Sequence, residues 1–143
     1  MIRLSKLSDY AIVVLSCLAA EHGQLQTAAV LSQQTRIPEP TVAKVLKLLS
    51  KKEIVNSVRG VRGGYSLTRP VGKITVAELI EALEGPIAIT SCADVHHGSA
   101  CHIEKLCPTR AGWSRVNLAL KSTLDNIFLD ELLMPVKNMK RVS

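Results

Sequence analysis

The chain has 143 residues, the size of one compact domain, and carries 18 Lys and Arg against 12 Asp and Glu, a formal charge of +6. That balance favours a polyanionic partner. The longest apolar run, 11–20, is half of the roughly 20 residues a bilayer crossing needs, so no membrane span is expected.

Residues 6–22 repeat apolar side chains at Leu7, Tyr10, Ala11, Val14, Leu15 and Leu18, the spacing of an amphipathic helix capped by Ser5 or Ser8 and stopped by Gly23. Arg3 and Lys6 ahead of this run imitate a signal peptide. Asp9 and Tyr10 stand at its start, however, and the pattern continues as an ordinary helix, so a cytoplasmic location is expected. Cys17 on this helix reads as a small core residue.

Thr27 caps a predicted short helix over 28–34, whose Val30 and Leu31 are expected to pack inward. The segment 36–40, with Pro38 and Pro40, breaks it and opens the next helix, 40–52. There Val42, Val45, Leu46 and Leu49 form an apolar stripe and leave Thr41, Lys44, Lys47 and Lys51 largely on the other faces. Two short helices joined by a tight break, the second with a basic side, make a helix-turn-helix. A solvated lysine face would look the same taken alone.

The adjoining segment favours DNA. Residues 54–58 and 65–67 alternate like strands around a tip of Arg59, Gly60, Val61, Arg62, Gly63 and Gly64. Glycines permit close backbone approach to a partner, so Arg59, Gly60 and Arg62 are candidate groove contacts, with Thr41, Lys44 and Lys47 the candidates on the helix. A hairpin at this place reads as a wing, and double-stranded DNA as the partner.

Thr75 and Glu78 form a capping box for a helix through Glu84, which Gly85 and Pro86 end. The loop 87–107 then holds Cys92, Cys101 and Cys107, with His96, His97 and His102 among them. Three thiols without a secretory signal read as metal or redox chemistry in a reducing compartment. Soft thiolates suit an iron-sulfur cluster or zinc, both of which normally take four protein ligands. Zinc is the weaker fit because paired Cys-x2-4-Cys knuckles are absent, and a thiol switch is the metal-free alternative. Polar Asp94, His96, His97, Ser99 and Lys105 argue against a merely buried loop. A last helix runs through Trp113, Val116, Leu118, Leu120 and Leu124, long enough to pack on a copy of itself. An apolar stretch from Phe128 to Leu133 and a basic tail from Lys137 to Arg141 close the chain.

The fold expected is mainly α with a small β-hairpin: a winged helix-turn-helix over 3–84 with its wing at 54–68, a cysteine loop at 85–107, a dimerisation helix and C-terminal segment at 108–134, and a tail at 135–143. No catalytic triad, phosphate loop or paired-carboxylate motif suggests an enzyme. A small electron carrier would have no use for a wing.

Three segments carry a family resemblance: Arg-Leu-Ser-Lys-Leu-Ser-Asp-Tyr-Ala at 3–11, Ser-Val-Arg-Gly-Val-Arg-Gly-Gly-Tyr-Ser-Leu at 57–67, and the three-cysteine loop. Together they resemble the IscR and NsrR group of Rrf-type regulators over about 3–133. Residues 84–92 and 107–113 look like the branch that regulates the SUF iron-sulfur assembly operon. The resemblance implies a homodimer, joined by the helix after the cysteine loop, that binds operator DNA and most often represses. It implies a two-iron or four-iron cluster, reporting iron-sulfur status or oxidative or nitrosative stress, with Cys92, Cys101 and Cys107 on the family's cluster cysteines. Arg110 stands where IscR-like members have a histidine. Asp9 matches the aspartate that ligates the cluster across the dimer in NsrR-like proteins, so the partner subunit's Asp9 is the implied fourth ligand, and His102 is the alternative within the loop.

Overall fold

A computed structural model describes residues 3–21, 23–93, 101 and 103–133. Helix α1, Lys6–Ala20, starts where the Ser5 hydroxyl accepts from the Ser8 N–H, and buries Ser8, Ala11, Val14, Leu15 and Leu18. It ends earlier than the sequence pattern suggests, and His22 lies outside the described residues. Of the two serines that could cap it, Ser5 does so, while Ser8 is turned into the core.

Thr27 caps α2, Ala28–Thr35, through the Val30 N–H. Leu31 is buried there, but Val30 is 41% exposed, which corrects the expectation that both pack inward. A helix this short presents only one residue per turn to the core, and Leu31 takes that place. After a left-handed Arg36, Pro38 leads into α3, Glu39–Lys51, where Pro40 sits in the first turn and costs no backbone bond. Val42, Val45, Leu46 and Leu49 are fully buried, and Lys44, Lys47 and Lys51 are exposed.

Strands β1, Val55–Val58, and β2, Gly64–Leu67, pair antiparallel with Val58 opposite Gly64. Each ends where the sequence reading put it and differs by one residue at its start: Ile54 precedes β1 as a core residue, and Gly64 opens β2. A further pair, Gln26 with Tyr65, bonds through both backbones at 2.9 and 2.8 Å and fastens the hairpin to the chain entering α2. A Cβ at Gly64 would lie 2.9 Å from the Gln26 carbonyl oxygen, so that crossing is open only to glycine. Thr68 closes the hairpin base by donating from its N–H to the Ile54 carbonyl at 3.1 Å.

Helix α4, Val76–Glu84, carries the expected capping box. The Arg69 guanidinium meets Glu78 at 2.5 Å and so ties the end of the wing to that cap. Helix α5, Arg110–Asp125, packs on α4, with Lys121 and Glu81 paired at 2.7 Å. The C-terminal segment does more than extend α5. Ile127 and Leu129 bond the backbones of Val76 and Ile74 at 2.9 Å each, and Leu129, on the one-turn helix α6 (Leu129–Leu132), is fully buried. This segment therefore completes the core formed by α1 to α4 and β1, which the apolar stretch at 128–133 did not reveal. The tail, with Lys137 and Arg141, lies outside the described residues.

Candidate nucleic-acid interface and cysteine loop

The candidate DNA contacts fall on α3 and on the hairpin tip that follows β1, the strand that adjoins α3. Lys44, Lys47 and Lys51 project from the side of α3 opposite its buried stripe, whereas Thr41 is half-buried. At the hairpin tip Gly60 has φ +113°, and its carbonyl accepts from the Gly63 N–H at 3.0 Å. A Cβ at Gly63 would fall 2.2 Å from the Val58 carbonyl oxygen. Only glycine allows this closure, so the tip holds one shape with Arg59 and Arg62 exposed.

The cysteine loop leaves the core from α4. Asn117 is the buried polar residue of α5; its side-chain oxygen accepts from the Ile89 N–H at 3.1 Å and its amide donates to the Ile87 carbonyl at 3.0 Å. It pins the first stretch of the loop to α5. A polar residue interrupting the stripe of Trp113, Leu120 and Leu124 was the signal for it in the sequence.

Cys92 comes next, on a short 3-10 turn, Ser91–Ala93, that packs on α5, with the Thr90 hydroxyl 3.2 Å from its sulfur. Cys101 is exposed, and Cys107 lies half-buried just ahead of α5. The Thr109 hydroxyl, 3.2 Å from the Cys107 sulfur, is the main cause that holds this thiol below the usual cysteine range; the Thr109 and Arg110 N–H groups and the Arg110 charge add to it. A thiol biased toward thiolate in a loop with two others fits a group that binds soft, deprotonated ligands. Among the described residues no three His, Cys, Asp or Glu side chains converge as a metal site. Asp94, His96, His97, Ser99 and His102 lie outside those residues.

Asp9 is exposed in the first turn of α1, beside a depression of about 460 Å³ that Arg3, Ser5, Lys6 and Glu84 also line. Glu84 ends α4 and reaches back to this turn, accepting from the Ser5 N–H at 2.9 Å and from the Ser8 hydroxyl. The start of the cysteine loop and the helix that carries Asp9 are thus fastened together. Nothing in the spacing of Ser5, Ser8 and Glu84, far apart in sequence, signalled that clamp.

Hydrogen bonds, chiefly from Ser8, hold the Glu84 carboxyl below its ordinary value despite some desolvation. A depressed carboxylate stabilises the fold above the ordinary carboxylate range and loses that contribution as the pH falls through its lowered value. Melting curves should therefore show Glu84→Gln modestly less stable than wild type near neutral pH. The difference should vanish in acid; a gap that persisted there would rule out the ionised clamp as its cause.

No described helix is long and apolar enough to cross a membrane. A family model described as Rrf2, iron-dependent transcriptional regulator, matches residues 4–135. The chain is 31% identical over 140 residues to the HTH-type transcriptional regulator IscR of Xenorhabdus nematophila, covering 96% of this chain and 81% of that one. Among solved structures it resembles CymR, the global cysteine regulator of B. subtilis, at 28% identity and a TM-score of 0.66, covering 93% of this chain and 97% of that one. It also resembles IscR of T. potens, at 25% identity and a TM-score of 0.62, covering 92% and 86%.

Proposed function

The chain belongs to the Rrf2 family of iron-dependent transcriptional regulators, and from that premise we propose that it is a homodimeric, cytoplasmic operator-binding repressor that senses through an iron-sulfur cluster. The observation that carries the DNA part is the glycine-locked wing tip, which exposes Arg59 and Arg62 at the end of a hairpin whose first strand packs on α3, itself with exposed lysines. Lys44 and Lys47 would meet a major groove, with half-buried Thr41 at the helix start, while Arg59, Gly60 and Arg62 would meet the neighbouring minor groove.

Cys92, Cys101 and Cys107 would hold the cluster, two-iron or four-iron, with the partner subunit's Asp9 as fourth ligand. The lowered Cys107 thiol supports this reading, as does the exposure of Asp9 at the foot of α1. When bound, such a cluster would supply an oxidant- and nitric-oxide-sensitive group on the loop. The protein's own part is mechanical: Asn117 and the Ser91–Ala93 turn link the loop to α5, α5 packs on α4, and α4 on α3. The target genes we infer are those of SUF iron-sulfur assembly, on the likeness of 84–92 and 107–113 to that branch.

A carboxylate is a hard ligand in a soft set, so its bond should be the weakest of the four. Asp9→Ala should shift the visible spectrum of the reconstituted protein and speed bleaching in air, while His102→Ala should leave both as in wild type. The reverse result would place the fourth ligand inside the loop.

A metal-free thiol switch is the second reading, favoured by the lowered Cys107 thiol and by the likeness to a cysteine regulator. Iron and sulfide analysis after anaerobic reconstitution separates the two, and zinc in their place would mark a stabilised relative of the same fold.

A further inference from the structure

Between the two wing arginines stands a residue that basic charge does not explain. Val61 is 107% exposed, as open to water as in an isolated peptide. The bond from the Gly63 N–H to the Gly60 carbonyl closes a four-residue turn with Val61 and Arg62 at its two corners. Gly60 takes a positive φ and Gly63 has no room for a Cβ, so the turn that leaves Val61 open is built on glycine at both places. An apolar, β-branched side chain there adds nothing to the core and disfavours the turn, where a polar residue would be the ordinary choice. Its stiff shape and forward position suit contact with another molecule.

We propose that Val61 is a specificity-determining residue that packs against the deoxyribose walls and floor of the minor groove while Arg59 and Arg62 flank it. The proposal rests on the assignment of the hairpin as a DNA-binding wing. Minor-groove proteins combine guanidinium groups, which read the groove's pattern and width, with apolar side chains that press against the bases. A narrow groove over A·T pairs has a smooth floor, whereas each guanine places a 2-amino group in that floor. Val61 should therefore disfavour G·C under the wing, by contact and without a hydrogen bond. This contribution releases no counterions, so it should be independent of salt, unlike that of the arginines.

The test uses a duplex selected from a random-sequence pool by the wild-type protein, titrated over a range of salt with wild type, Val61→Ala and Arg62→Ala. Val61→Ala should weaken binding about fivefold per wing, the scale of losing two buried methyl groups in part, with the log-log salt slope unchanged. Arg62→Ala should lower that slope. Placing G·C under the wing should weaken wild type more than placing inosine·cytosine, which lacks the 2-amino group, and Val61→Ala should narrow that gap. Unchanged affinity and an unchanged gap in Val61→Ala, with the Arg62→Ala slope reduced, would overturn the role of Val61 and leave the wing standing. An Arg62→Ala variant equal to wild type in affinity and slope would overturn both.

Discussion

Anaerobic reconstitution of a variant with Cys92, Cys101 and Cys107 all changed to alanine is expected to give folded protein with no cluster absorbance, and each single change a severe loss. These thiols are the soft ligands concentrated in one loop, and oxygen or nitrogen ligands alone do not hold an iron-sulfur cluster. The fold should survive because none of the three belongs to the hydrophobic core, whose members come from α1, α2, α3, β1, α4 and α6 and the chain beside them. Apo-protein melting is therefore expected to match wild type. Cys17 packs against that core and lies on another element, so Cys17→Ala should keep the full spectrum. A triple variant with a normal cluster spectrum would move the site elsewhere.

The second large effect concerns the wing. Changing Arg59 and Arg62 together to alanine should cost about tenfold in operator affinity per arginine at low salt, since each charge-assisted contact contributes on the order of 1.5 kcal/mol or more. The log-log salt slope should fall by about 0.9 for every phosphate no longer neutralised. Both side chains are exposed and the turn is closed by backbone groups, so the hairpin needs neither of them to form. Equal affinity for the folded double variant and wild type would remove the wing from the interface. Lys47→Ala on α3 is a milder control, because one exposed lysine contributes charge without the fixed setting of the tip.

Much of the fold was legible in the sequence because the signals are local. The stripe of Val42, Val45, Leu46 and Leu49, the Thr75–Glu78 capping box and the glycine-rich tip each declare an element within a few residues, and each is present. Contacts between distant segments were not legible. The Gln26–Tyr65 bridge, the return of Leu129 to the core and the Glu84 clamp on Ser5 and Ser8 join residues whose partners no periodicity encodes. Val30 shows the same limit at smaller scale: an apolar residue beside the buried face of α2 lies outside it, and only packing decides which of two neighbours is covered. The cysteine spacing pointed to soft-ligand chemistry, but not to the Thr109 hydroxyl that biases Cys107.

If one chain both holds an iron-sulfur cluster on its loop cysteines and reads operator DNA, its DNA binding should depend on that cluster. The most direct measurement is operator affinity of the anaerobically reconstituted protein and of the same sample after chelation, with iron and sulfide counted in each. Iron and acid-labile sulfide are predicted in the first sample, their loss in the second, and a clear difference in operator affinity between the two. Zinc or no metal in the reconstituted protein, or equal operator affinity with and without the cluster, would contradict a cluster-sensing regulator.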